Sequence, residues 1–251
     1  MKSNLIILTG GISGSSVLAG LISKAGYWLG DNTKKVAYDT FENSRLVDLN
    51  NDILKASDFH WRDIGEIPPP SISNISACIE NLELSPFKQF IDQCNRHRPW
   101  LWKDPRLSYT IYFWEKFVDL DNTKFILMLR DLKQTWTGTI LRGKEPISYK
   151  DVATIQNNAK NAAINFFEMN HLEYLPLNFE ELILAPDAVI KKINNYLDAN
   201  LNLDDFISIY KGPLFKKRWN LMHFYKAHFK FFVLKYIFKD AITYPRSKSL
   251  K

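Results

Sequence analysis

The sequence predicts an α/β domain of three layers, with helices on both faces of a mainly parallel central sheet. Three observations predict it. Short apolar runs of strand length alternate with helical stretches of ten residues or more, the pattern of βαβ units. Runs such as Asn4 to Thr9 are apolar throughout, as strands covered on both faces are. Of the 251 residues, 46% are hydrophobic and 24% charged, enough to bury one substantial core in one domain.

The elements follow in order. Asn4 to Thr9 (NLIILT) reads as a buried strand, and Gly10, Gly11, Ser13, Gly14, Ser15 and Ser16 as a turn. Val17, Leu18, Leu21, Ile22 and Ala25 repeat at helical spacing, with Gly26 placed as a C-cap. A second helix is predicted from Glu42 to about Ala56, and IPPPS places a loop between His60 and Ser71. Ile72 to about His97 reads as mostly helical, with a break near Ser85-Pro86. PWLWKDPR gives a short strand ending in charge, and Tyr109, Tyr112, Phe113 and Phe117 mark the next helix. Lys124 to Leu129 is a strand ending at Arg130-Asp131, followed by helices to about Arg142 and over Asp151 to Met169. Glu173 to Leu177 is the last strand, and Pro186 to Leu197 a further helix.

In such sheets ligands bind beyond the carboxyl ends of the strands. The glycine-rich turn, Lys103 to Arg106 and Arg130 all fall at such ends, so one site is expected there. A Gly/Ser turn opening a helix offers backbone N–H groups and a positive helix end, which bind phosphate or serve only as a tight turn. Gly14 is followed by Ser15-Ser16 with no lysine, which argues against a Walker A loop. Gly10, Gly11 and Gly14 do not fit the dinucleotide-binding spacing either.

Two cysteines, Cys78 and Cys94, cannot build a disulfide framework, and without a CxxC or His/Cys cluster no metal is expected. A reducing, cytoplasmic compartment fits them. The N-terminal apolar run breaks after Leu8 into glycines and serines, which favours strand-turn-helix over a signal peptide. No stretch is apolar enough to span a bilayer. Charge is uneven. Residues 211–251 hold eleven Lys or Arg and one acid, Asp240, while the net charge is +6, so the preceding part is acidic.

Five segments carry a family resemblance. ISGSSVLAGLISKAGYWLG, FENSRLVDLNNDIL, WLWKDPRLSYTIYFW, KFILMLRDLKQTWTGTILR and LPLNFEELILAPDAVIKKINNYLDANL together resemble, in order, the sulfotransferases that use 3′-phosphoadenosine 5′-phosphosulfate (PAPS), bacterial and tyrosylprotein types among them. The resemblance spans about Leu5 to Arg218 and implies a P-loop-like fold, with residues 1–218 as the nucleotide-binding domain and 219–251 as a basic, aromatic tail. It implies PAPS as co-substrate and a hydroxyl on a sugar, lipid or small metabolite as acceptor. The turn residues Gly10, Gly11, Ser13, Gly14, Ser15 and Ser16 would cradle the 5′-phosphosulfate. Arg130 would grip the 3′-phosphate, with Thr137, Thr139, Arg142 and Arg218 (or Lys211 or Lys217) as further ligands. Glu42 matches the position of a glutamate base in related families, and otherwise reads as a first-turn helix acid. Lys103 and Arg106 would supply positive charge, or form a structural cluster with Asp104 around Pro105. Two positions depart from the pattern. Ile12 stands where the family has Arg or Lys, and Gly138 where it has a serine for the 3′-phosphate. An alternative is therefore a homologue that keeps the fold and binds without catalysis.

The tail interleaves aromatic and basic residues from Phe215 onward, with Leu221, Tyr225, Phe232 and Tyr236 on one helical stripe. Such a helix suits either packing on the domain or peripheral contact with an anionic membrane. No nucleic-acid recognition motif accompanies the charge, so nucleic acid is not an expected partner.

Overall fold

The structure is a computed structural model that describes residues 2–36, 38–61, 67–143, 146–212 and 221–237. Four parallel strands form its central sheet in the order β4-β1-β5-β6: β1 (Asn4–Thr9), β4 (Leu101–Lys103), β5 (Thr123–Leu129) and β6 (Tyr174–Asn178). β1 sits between β4 and β5, with Leu5 opposite both Leu101 and Lys124.

Strand periodicity builds the layers. Leu5 and Ile7 face one side of the sheet, Ile6 and Leu8 the other, and all four are fully buried. On the first side they meet α1 (Ser15–Ser23), α8 (Phe179–Leu184), α9 (Pro186–Leu197) and α10 (Leu203–Ile209). On the other side lie α2 (Ser44–Ala56), α3 (Ile72–Ala77), α4 (Ser85–Arg96), α5 (Leu107–Trp114) and α7 (Tyr149–Met169). Trp100, Trp102, Trp114, Phe87 and Phe113 interlock in that second layer. The predicted three-layer α/β architecture is thus the observed one.

Several details differ from the expectation. Helix α2 begins at Ser44, not at Glu42, because the Asn43 side chain accepts hydrogen bonds from the Arg45 and Leu46 amides and caps it. Glu42 belongs instead to β3 (Asp39–Asn43), which pairs antiparallel with β2 (Thr33–Lys35) in an unanticipated hairpin. Helix α1 stops at Ser23, and Gly26, at φ 88°, lies in the turn beyond it. The stretch from Ile72 divides into α3, a 3₁₀ turn at Cys78–Glu80, and α4. Cys78 and Cys94 are buried free thiols.

Helix α6 (Leu132–Arg142) follows β5, and α11 (Leu221–Phe232) packs on it. The expected boundary between residues 218 and 219 lies outside the described residues. Among the described residues, no helix is long and apolar enough to cross a membrane.

Candidate functional site

A cleft of about 430 Å³ opens at the carboxyl ends of β1, β4 and β5. Its floor is the turn from Gly11 to Ser16, and Glu42, Lys103, Arg106, Arg130 and Arg142 line its walls.

The turn is held in an unusual conformation. Gly11 and Gly14 have φ of 82°, and Ile12 has φ 49°. Left-handed backbone costs a β-branched residue on the order of 1–3 kcal/mol. The surroundings enforce it. The Ser13 and Thr9 hydroxyls are hydrogen-bonded to each other, and Arg130 Nη1 donates to the Ile12 carbonyl over 3.1 Å. Gln156 Nε2 donates to the carbonyl oxygens of Gly10 and Gly11. Ser108 closes the end of β1: its hydroxyl accepts from the Thr9 amide and donates to the Thr9 carbonyl. Position 14 must be glycine on two counts, since a Cβ there would also lie 2.1 Å from the Phe179 ring.

This geometry aims the start of α1 at the cleft. The helix has no side-chain cap and no acid in its first turn, so its leading N–H groups and dipole are left for an anion. The turn thus leaves the start of α1 uncapped at the cleft, an arrangement that can receive an anion.

Behind the turn lies a buried ion pair. Lys103 Nζ stands 2.7 Å from Glu42 Oε1, with both side chains almost wholly excluded from solvent. The same ammonium donates to Ser16 Oγ (3.1 Å) and to the Thr40 carbonyl (3.3 Å). All three lysine donors are thereby used, tying β4 to α1 and to the hairpin. Glu42 reaches this point because Phe41, at φ 54°, kinks β3, its amide donating to Asp39 Oδ1. Among the described residues no hydrogen bond is made to Glu42 Oε2.

Arg106 is held from within. Asp104, fully buried, accepts from the Arg106 amide and from Nη1, while Asn51 Oδ1 accepts from Nε. Asn50 Nδ2 donates to the other Asp104 oxygen, and Asn50 Oδ1 in turn accepts from Thr110 and Trp114. A guanidinium fixed in this way presents its charge to the cleft at a set position. Arg130 lies over the Phe179 ring at 4.9 Å and 3.9 Å from Glu180.

The structure therefore brings together Gly11, Ser13, Gly14, Ser15, Ser16, Glu42, Lys103, Arg106, Arg130 and Arg142. Other predicted residues lie elsewhere. Gly10 lines a neighbouring cavity of about 490 Å³ with Gln156 and Lys160. Thr139 is buried and donates to the Thr135 carbonyl within α6. Thr137 Oγ1 is buried without a hydrogen-bond partner among the described residues. Gly138 faces the turn: a Cβ there would sit 3.8 Å from Ile12 Cγ2. Lys211 bonds the Ile207 carbonyl and is not part of the cleft lining. Arg218 and Lys217 lie outside the described residues.

Sequence reasoning missed Lys34, Val36, Tyr38 and Trp61, which also line the cleft. The first three belong to the hairpin region, whose only local signal is a short polar alternation. Gln156 and Ser108 were invisible because their roles depend on contacts 146 and 99 residues distant in sequence.

No protein-family model matches the sequence, and no curated relative does. Among solved structures, the sulfotransferase domain from the Synechococcus PCC 7002 olefin synthase is similar, at 13% identity and a TM-score of 0.50, over 88% of this chain and 82% of that one. The sulfotransferase domain from the curacin biosynthetic pathway aligns over 84% of this chain and 79% of its own, at 14% identity and a TM-score of 0.49. At 13% identity the likeness to the olefin synthase domain is one of fold.

Proposed function

We propose that this chain is a sulfotransferase that moves a sulfuryl group from PAPS to a hydroxyl on a sugar, lipid or small-metabolite acceptor. The observation that carries the reading is the meeting, in one cleft, of an uncapped helix N-terminus with a buried Lys-Glu pair. The fold shared with a sulfotransferase domain supports it.

The donor set fits the co-substrate. An anionic phosphosulfate suits the free amides of the turn, the Ser16 hydroxyl and the Lys103 charge behind them. Arg130, at the cleft wall beside the turn, suits a second phosphate. When bound, PAPS supplies a sulfuryl group already joined to a phosphate leaving group.

Transfer of this kind is an in-line displacement governed by positioning and charge. In this reading the turn amides hold the leaving phosphate, and Glu42 takes the proton of the acceptor hydroxyl through Oε2. Protonation neutralises Glu42 and so weakens its hold on Lys103. The ammonium then acts more fully on the leaving group, as negative charge gathers there. Arg106, fixed by Asp104 and Asn51, adds positive charge at the cleft wall, which offsets in part the apolar side chain at Ile12.

Calorimetric titration with 3′-phosphoadenosine 5′-phosphate tests the nucleotide site. Micromolar binding is expected, weakened at least about tenfold in Arg130→Ala by loss of a charge-assisted contact. A folded protein that ignores millimolar nucleotide would sink the reading.

Ile12 and Gly138 favour a second reading, in which the nucleotide binds without turnover. Glu42→Gln separates the two. For an active enzyme, transfer to a hydroxyl acceptor from labelled PAPS should fall by about 10²-fold or more, with nucleotide affinity retained. A wild-type protein that binds nucleotide yet labels no acceptor in a broad hydroxyl panel would leave the second reading standing.

A further inference from the structure

Helix α11 has two unlike faces. Its inner face is anchored on α6. Ala227 is fully buried there, and Phe224, His228 and Phe231 pack around Trp136 at ring distances of 5.8, 4.7 and 6.1 Å. Lys230 Nζ donates to the carbonyl oxygens of Leu141 (3.0 Å) and Gly143 (2.8 Å), neutralising the carboxyl end of α6.

The outer face carries Tyr225, Phe229, Phe232 and, in the π-helical turn Val233–Ile237, Tyr236. Their exposures are 66%, 72%, 54% and 57%. The spacing of four, three and four keeps them on one stripe. A helix already seated through Ala227 and Phe231 gains nothing in folding from four rings in water. Such a continuous exposed apolar stripe marks an interaction surface.

Charge decides which surface it fits. Lys226 and Lys235 are exposed beside the stripe, and residues 211–251 hold eleven basic residues against one acid. Aromatic rings flanked by lysines along a helix match the headgroup region of a bilayer, where rings enter the boundary and ammonium groups meet lipid phosphates.

We propose that the outer face of α11 docks on the surface of an anionic lipid bilayer. Tyr225, Phe229, Phe232 and Tyr236 enter the headgroup boundary, and Lys226 and Lys235 contact lipid phosphates. The grip of Lys230 on Leu141 and Gly143 brackets Arg142, which lines the cleft, so docking carries the cleft to the membrane. This proposal stands apart from the chemistry in the cleft, because vesicle binding needs no nucleotide.

The test is flotation of the full-length protein with vesicles of phosphatidylcholine, alone or mixed with phosphatidylglycerol. Binding is expected to the mixed vesicles at physiological salt and to be weak on phosphatidylcholine alone. The double variant Phe229→Ser, Phe232→Ser should bind about tenfold more weakly with an unchanged melting temperature. Lys226→Ala with Lys235→Ala should show a similar loss, of the same sign as that caused by added salt. Three outcomes would overturn the proposal: no flotation of the wild type, flotation unaltered in both variants, or heparin retention or Phe229-dependent dimerisation in place of flotation.

Discussion

At the residue scale, the cleft depends on side chains and backbones that have no freedom to substitute for one another. Gly14 is the clearest case. Its φ of 82° disfavours any L side chain, and its missing Cβ leaves room for the Phe179 ring. Gly14→Ala combines backbone strain with a ring collision, and a stability loss of at least about 2 kcal/mol is expected. Chemical denaturation measures the loss, and calorimetry should show nucleotide binding falling with it. Wild-type stability in the variant would mean that the turn relaxes readily and is no rigid cradle. The sequence displayed Gly14 and Lys103 plainly, because Gly/Ser clusters and KDPR segments are local signals. It could not display that Lys103 spends all three donors on Ser16, Thr40 and Glu42, since those partners come from three separate segments. Nor could it place Thr139, whose hydroxyl turns inward to the Thr135 carbonyl in preference to the cleft.

At the scale of elements, apolar runs were read most accurately. NLIILT and KFILML are continuous, buried on both faces, and lie within a residue or so of where the pattern puts them. The hairpin of β2 and β3 escaped because it is short, largely polar and stands apart from the central sheet, so no hydrophobic period marks it. Its cost was the placement of Glu42, assigned to a helix that Asn43 in fact delays by capping. That cap is testable. Asn43→Ala removes the acceptor for the Arg45 and Leu46 amides and should cost about 1 kcal/mol. It should also loosen the β3–α2 junction, so in an active enzyme turnover should fall more than nucleotide affinity. Equal stability of variant and wild type by thermal melting would show that α2 is held by packing alone.

At the scale of the whole molecule, burial makes the protein sensitive to alkali. Loss of solvent pushes the Cys94 thiol up to about 12, with Tyr27 and Tyr112 raised to about 12 by the same cause. These groups bind their protons more tightly folded than unfolded, so their contribution is complete below the unfolded values, 9.0 for Cys94 and 10.0 for the tyrosines. It is lost as pH climbs from there toward 12. Denaturation midpoints should therefore decline across that window, and a thiol reagent should find neither cysteine until the chain unfolds. Rapid labelling of the native protein near neutral pH would contradict the burial. The sheet order has another consequence, in time and not in space. β1 is synthesised first yet occupies the middle of the sheet, and Leu5 waits for Leu101 and Lys124, roughly a hundred residues later. A nascent chain emerging from the ribosome thus carries β1 as a bare apolar strand until β4 and β5 follow it, and the sheet cannot close before then. Fragments that stop short of residue 129 should therefore fail to fold, as circular dichroism of such truncations would show.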